Sequence, residues 1–152
     1  MKEEHVSEVV ESIDISSSPE DVFSYATDFS LFPEWQGGIV SVRRQDDAPV
    51  AVGSKAVVTR RLGPRQLAGT EEITEMSPPR SWTVRTTGGP LTTIARGRIE
   101  PLDGGERSRV RIALEFEAHG IGKSLLPLVL REAPKQLPRN EKKLKEVLER
   151  GA

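Results

Sequence analysis

The chain has 152 residues, a formal net charge of -1, 36% apolar and 30% charged residues, and no cysteine. One hydrophobic core is expected at this length, with residues 1–152 forming a single domain, and the composition excludes a wholly disordered or membrane-embedded chain. Without cysteine there are no disulfides, thiolate nucleophiles or sulfur metal ligands; the near-zero charge supplies no bulk attraction to nucleic acid or anionic lipid, and basic residues are interleaved with Glu and Asp. Residues 1–12 carry Glu3, Glu4, Glu8 and Glu11 but no apolar h-region, so no secretory signal is expected and the cytosol is the expected compartment. The longest apolar run, Leu125 to Leu130, contains Pro127 and is too short to cross a bilayer, which argues against stable membrane insertion.

Val9 to Ile15 reads as a first strand, ending in Ser16-Ser17-Ser18. Ser18 is placed to cap a helix, Pro19 suits its first position, and Asp21 puts a carboxylate at the positive end of its dipole. That helix, 19–27, would bury Val22, Phe23 and Ala26, and Asp28 to Trp35 reads as a second short helical turn closed by Pro33. From Gly38 onward the period changes to two. Strands are expected around Val40 and Val42, over Ala56 to Leu62, Leu67 to Met76, Ser81 to Thr87, Leu91 to Glu100 and Arg107 to Glu117. Asp46-Asp47-Ala48-Pro49, Gly63-Pro64, Ser77-Pro78-Pro79, Gly88-Gly89-Pro90 and Asp103-Gly104-Gly105 separate them, so the seven strands are antiparallel wherever the turns are short.

Gly120 to Arg150 carries Leu126, Leu130, Ala133, Leu137, Leu144 and Leu148, mostly three or four apart, which is the spacing of one helical stripe. Pro134 and Pro138 each remove a helical hydrogen bond and are expected to kink or interrupt the helix. Glu141 and Lys145 are spaced for an i,i+4 pair. The order of elements implies an α+β fold in which a curved sheet grips a long C-terminal helix around a cavity.

The opening Ile13-Asp14-Ile15, Ser18-Pro19-Glu20-Asp21-Val22-Phe23, Asp28 and Pro33-Glu34-Trp35 resembles the START/SRPBCC superfamily. So do Ser77-Pro78-Pro79-Arg80 and the Gly120 helix ending Leu144-Lys145-Glu146-Val147-Leu148-Glu149. More narrowly, the chain resembles the bacterial polyketide cyclase/dehydrase and lipid-transport group. The resemblance covers nearly the whole chain and implies a helix-grip fold: a seven-stranded curved antiparallel sheet wrapped around a long C-terminal helix, two short helices after the first strand, and a cavity between sheet and helix. It is poor for activity, because such proteins range from carriers to cyclases to hormone receptors. Pro134 and Pro138 depart from the family's usually uninterrupted helix.

Elimination removes most chemistry. A serine hydrolase needs a base beside its nucleophile, yet the two imidazoles, His5 and His119, lie near the N-terminus and at a strand-to-helix junction, and no G-x-S-x-G elbow accompanies them. Neither has metal-ligand partners at usable spacing, so His119 reads as an exposed or capping histidine, and neither a catalytic set, a metal nor a cofactor is expected. Gly88-Gly89 and Gly104-Gly105 lie between strands, as hairpin turns do, rather than opening a helix to hold a phosphate.

The subtler signal is polar residues with inward parity. Arg60 shares a strand face with Ala56, Val58 and Leu62, Glu71 with Leu67 and Ile73, Thr86 with Trp82 and Val84, and Thr93 with Leu91, Ala95 and Ile99. An inward Arg60 is costly unless paired or wet, which makes it a candidate for holding a ligand's carboxylate, phenolate or carbonyl; the alternative is a register shift or bulge that turns it to solvent. The candidate ligand-binding set is therefore Arg60, Glu71, Trp82, Thr86, Thr93, Phe116, Leu126 and Leu130. Trp82 and Trp35 could stack on a flat ligand but read first as plain core, Tyr25 reads as a surface residue rather than a donor at the rim, and Glu11 as a weaker inward acid. Three function classes remain: binding or transport of a small hydrophobic molecule, a lipid, quinone or aromatic polyketide; a polyketide cyclase or dehydratase using the same cavity; and a regulatory module acting through a protein partner. A monomer or homodimer is expected.

Overall fold

The structure is a computed structural model in which residues 7–150 are described. His5 lies outside them. Strand β1 (Ser7–Ile15) leads into helix α1 (Pro19–Ala26), a 3₁₀ turn (Phe29–Leu31) and the single-turn helix α2 (Phe32–Trp35). Six strands follow: β2 (Ile39–Arg44), β3 (Lys55–Leu62), β4 (Arg65–Ser77), β5 (Ser81–Thr87), β6 (Leu91–Leu102) and β7 (Arg107–Ala118). A 3₁₀ turn (Gly120–Ser124) then delivers the chain to helix α3 (Leu126–Arg150). The seven strands form one antiparallel sheet in the order β1-β7-β6-β5-β4-β3-β2, with α3 laid across it. Fold class, strand number and the two short helices match the sequence reading.

Local chemistry explains the turns. The Asp21 amide donates to Ser18 Oγ at 3.2 Å, Pro19 starts α1, and the Ser30 amide donates to Asp28 Oδ1 at 3.0 Å, so α1 and the 3₁₀ turn after it begin at side-chain caps. Between β3 and β4, Leu62 pairs with Arg65 across a two-residue turn in which Gly63 takes φ +61°, a left-handed conformation that glycine adopts at little cost. Phe29, Ile15, Ile73, Val22, Val110 and Leu144 are fully buried where α1, the sheet and the C-terminal half of α3 meet. Each such side chain contributes roughly 1.5–3 kcal/mol by leaving water.

Helix α3 departs from expectation in two respects. Of the two outcomes expected at Pro134 and Pro138, a kink or an interruption, the interruption does not occur. Pro134 is exposed and Pro138 half-buried, and each withholds one amide donor, from the carbonyls of Leu130 and Pro134, without ending the helix. The expected Glu141–Lys145 pair does not form. Lys145 Nζ instead donates to Glu149 Oε2 at 2.6 Å and to the Asp14 carbonyl at 3.0 Å, while Glu141 turns into the sheet and is 1% exposed.

Neither Glu141 oxygen has a hydrogen-bond partner. Burial, reinforced by the facing charge of Glu11, pushes its carboxyl up to about 8, and the Ile112 backbone, outside hydrogen-bonding geometry, offsets little of this. The folded protein therefore keeps a proton on Glu141 that the unfolded chain, at the ordinary value of 4.5, loses. Stability is full below that value, falls as pH rises toward 8 and is flat beyond. Asp14 and Glu149, held below the usual carboxylate range by hydrogen bonds from Arg109 and Lys145, act in the opposite sense under more acid conditions. Denaturant melts across this window should show Glu141→Gln removing a decline on the order of 3 kcal/mol, with the variant more stable than the parent at pH 8. Parallel pH profiles for the two proteins would contradict a neutral buried Glu141.

Candidate functional site

Between the concave face of the sheet and α3 lies a cavity of about 340 Å³. Ala26, Phe32 and Trp35 close one side, and Val58, Val84, Ala95, Ile112 and Leu114 form the sheet wall. Gly37, Gly38, Arg61, Gly63, Ala68 and Gly89 are the lining residues exposed to solvent, which puts the mouth among the α2–β2, β3–β4 and β5–β6 turns, under the first half of α3.

Arg60, Glu71, Trp82, Thr86, Thr93 and Phe116 all lie in the lining. Arg60 does not turn outward as a bulge in β3 would make it. The register shift is on β2, between Ile39 and Ser41, while the β3–β4 ladder is regular from Lys55↔Glu72 to Leu62↔Arg65. Leu126 and Leu130 do not line the cavity. They pack with Phe116, Ala118 and Val129 in a separate apolar cluster toward the start of α3. The inward face of the helix keeps Ala133 and Leu137 of the expected stripe but extends to one side of it, through Val129, Glu132, Gln136 and Asn140. Gln36, Gln136 and Asn140 are therefore lining residues that strand parity had no means of finding, although the 129-133-136-140 spacing was visible.

The polar centre of the cavity is an ion pair. Arg60 Nη2 donates to Glu71 Oε2 at 2.9 Å and to Gln36 Oε1 at 2.8 Å, and Arg60 Nε lies 3.3 Å from the same Glu71 oxygen. The Glu71 side chain is 5% exposed and that of Arg60 36% exposed. Among the described residues, Nη1 of Arg60 makes no hydrogen bond, which leaves two donors of a fixed, charged fork unused. A second amide cluster ties the mouth to the helix: the Gly37 amide and Gln136 Nε2 both donate to Asn140 Oδ1, at 2.9 and 2.7 Å.

Both tryptophans serve as core and as wall. Trp35 meets Phe32 edge to face at a centroid distance of 6.0 Å, and its buried Nε1 has no partner. Trp82 meets Phe23 in the same way at 6.0 Å and lies over Gly97 on the neighbouring strand. Tyr25 is not at the rim; its hydroxyl donates to Glu34, and burial followed by the Glu34 carboxylate hold the phenol above its ordinary range. Glu11 faces Glu141 rather than the cavity. His119 is exposed and makes no side-chain cap. Among the described residues, no three His, Cys, Asp or Glu side chains gather as a metal site would require.

A curved antiparallel sheet closed by a C-terminal helix over an apolar cavity defines a helix-grip fold. The chain belongs to the polyketide cyclase / dehydrase and lipid transport family, whose pattern matches residues 7–149. No curated protein sequence matches it. Among solved structures it is similar to TTHA0849 from Thermus thermophilus, at 18% identity and a TM-score of 0.79, covering 96% of this chain and 99% of that one. A START superfamily protein from Mycobacterium smegmatis aligns at 19% identity and a TM-score of 0.74, over 95% and 99% of the two chains. The Zhui aromatase/cyclase from a Streptomyces species aligns at 13% identity and 0.77, over 96% and 95%. At these identities the likeness is one of fold.

The cavity wall depends on one missing side chain. A Cβ built on Gly97 would lie 2.2 Å from Trp82 Cζ2, so the indole can lie flat across β6 where nothing projects. Gly97→Ala is expected to cost on the order of 2 kcal/mol and to displace Trp82 toward the cavity. A melt together with Trp fluorescence checks this; an unchanged spectrum and midpoint would mean that the indole is free to move.

Proposed function

We propose that this protein encloses one small, largely apolar and uncharged molecule, held at a carbonyl or hydroxyl oxygen by Arg60. The observation that carries this reading is a guanidinium with unused Nη1 donors on a residue that lines an apolar cavity, with Glu71 already balancing its charge. A neutral acceptor would gain a charge-assisted hydrogen bond, whereas a carboxylate or phosphate would bring a second anion beside Glu71 and lose much of its hydration. Apolar walls supply the remaining affinity, and the cavity volume is at the lower end of ligand sites, roughly 300–1,000 Å³. A quinone, an aromatic polyketide or a compact neutral lipid has this chemistry. Membership of a family described as polyketide cyclase / dehydrase and lipid transport agrees with it.

The same pair supports a second reading, cyclisation or dehydration of a poly-ketone. Arg60 would polarise a ketone oxygen, and Glu71, hydrogen-bonded to Arg60, would move a proton on the adjacent carbon.

Native mass spectrometry of the purified protein, followed by identification of any released molecule, tests both readings. A stoichiometric neutral compound is the expected result; an empty protein that also gains no thermal stability from quinones and aromatic ketones would remove the carrier reading. Arg60→Met should weaken a ketone ligand about tenfold or more, the loss of one charged hydrogen bond. Glu71→Gln should raise the affinity for a carboxylate of the same skeleton relative to the ketone, because it leaves the guanidinium uncompensated. Turnover of a poly-ketone that Glu71→Gln abolishes would favour the second reading.

A further inference from the structure

Folding sorts charges that the sequence mixes. From Arg131 to Lys143, α3 carries Arg131, Lys135, Arg139, Lys142 and Lys143 with Glu132 and Glu141 among them. All five cations are exposed, whereas Glu141 is fully buried and Glu132 faces the cavity rim beside Arg131, at 3.4 Å. At about 100° per residue, Arg131, Lys135, Arg139 and Lys142 fall within ~80° of one another on the helix. Among the described residues, Lys135, Arg139, Lys142 and Lys143 make no ion pair; Glu146, one turn on, ends the run. A chain of net charge -1 thus presents an almost purely cationic ridge on one helix face.

The start of that ridge adjoins the cavity mouth. Leu128 of α3 sits 3.4 Å from the Cβ position of Gly63 in the β3–β4 turn, and Gly122 packs against the Pro90 carbonyl of the β5–β6 turn. The Gly120–Ser124 turn and the rim bring three further exposed cations, Lys123, Arg61 and Arg65. Near Lys123 stands Ile121, at 80% the most exposed large apolar side chain among the described residues; Pro127, nearby in the chain, and Pro64, in the β3–β4 turn, are also exposed. Cations around an apolar tip, beside the opening of an apolar cavity, form a surface with a specific complement.

We propose that this side of the molecule docks peripherally on an anionic lipid surface, with the Ile121 turn entering the headgroup layer and the α3 ridge lying over the phosphates. Each Lys or Arg near such a surface adds attraction that salt screens, and a single apolar side chain deepens contact without spanning the bilayer. The mouth then faces the phase in which an apolar molecule is soluble, so loading and release need no passage through water. That last step rests on the carrier reading; the docking surface does not.

The test is flotation with vesicles of phosphatidylcholine alone and of phosphatidylcholine mixed with phosphatidylglycerol, at low and high salt, with a DNA duplex as a separate arm. The protein should float with the mixed vesicles at low salt, leave them at high salt and ignore the neutral ones. Combined Lys135→Glu, Arg139→Glu and Lys142→Glu should reduce binding at least tenfold, and Ile121→Asp should reduce it separately, both variants retaining the parent's melting temperature and cavity-ligand affinity. No flotation, equal flotation of the charge-reversed protein, or tight DNA binding without vesicle binding would overturn the proposal. An empty cavity with intact flotation would remove the carrier reading alone, and a filled cavity without flotation the docking alone.

Discussion

The attachment of the last turns of α3 to β1 is the constraint from which the cavity follows. Leu144 is fully buried against the core, Leu137 nearly so, Lys145 reaches the Asp14 carbonyl, and the Ser16 amide donates to Glu149 Oε2 at 2.8 Å. With its C-terminal half fixed at the edge of the sheet, the helix must cross the concave face. There it places Val129, Ala133 and Gln136, side chains too small or too polar to fill the space beneath. A core-filling residue at those sites would give a packed α+β domain with no interior. The cavity is thus a product of side-chain choice on one helix face as much as of sheet curvature.

Placing an ion pair in that cavity has an energetic logic of its own. A desolvated guanidinium or carboxylate alone would be strongly unfavourable, and even a well-made pair seldom adds net stability compared with apolar packing. Arg60 and Glu71 are therefore poor candidates for holding the fold together and good ones for recognising something inside it. Glu71 takes two contacts from Arg60, Gln36 takes another, and the remaining edge of the fork is oriented by those bonds rather than free to swing. On the proposed reading, such preorganisation would lower the entropy lost on binding a ligand oxygen.

Much of this was legible in the sequence because it rests on strict periods. The alternation of Ala56, Val58, Arg60 and Leu62 marked one face of β3, and the regular β3–β4 ladder kept it inward. The helix was harder. Leucine spacing identifies a buried stripe, but a helix lying between a sheet edge and a cavity has two inward faces, and the stripe marks mainly the one that packs, sharing only Ala133 and Leu137 with the one that lines. Leu126 and Leu130 consequently belong to the packed cluster, whereas Gln136 and Asn140, which leucine spacing passes over, lie in the cavity lining. Glu141 was unreadable for a related reason: its spacing to Lys145 suits a surface pair, and its burial is decided by where β1 lies.

The two helix prolines have a mechanical meaning. Pro134 and Pro138 delete the amide donors that would have reached the carbonyls of Leu130 and Pro134, in successive turns of the segment that roofs the cavity. The turns anchored on β1 keep their full complement of donors. Bending stiffness is therefore graded along one continuous rod, firm at the anchored end and compliant over the cavity, with the Gly37–Asn140–Gln136 amide cluster holding the compliant part down. A rod built this way concentrates any bending in the turns over the cavity and leaves the core beneath Leu144 undisturbed.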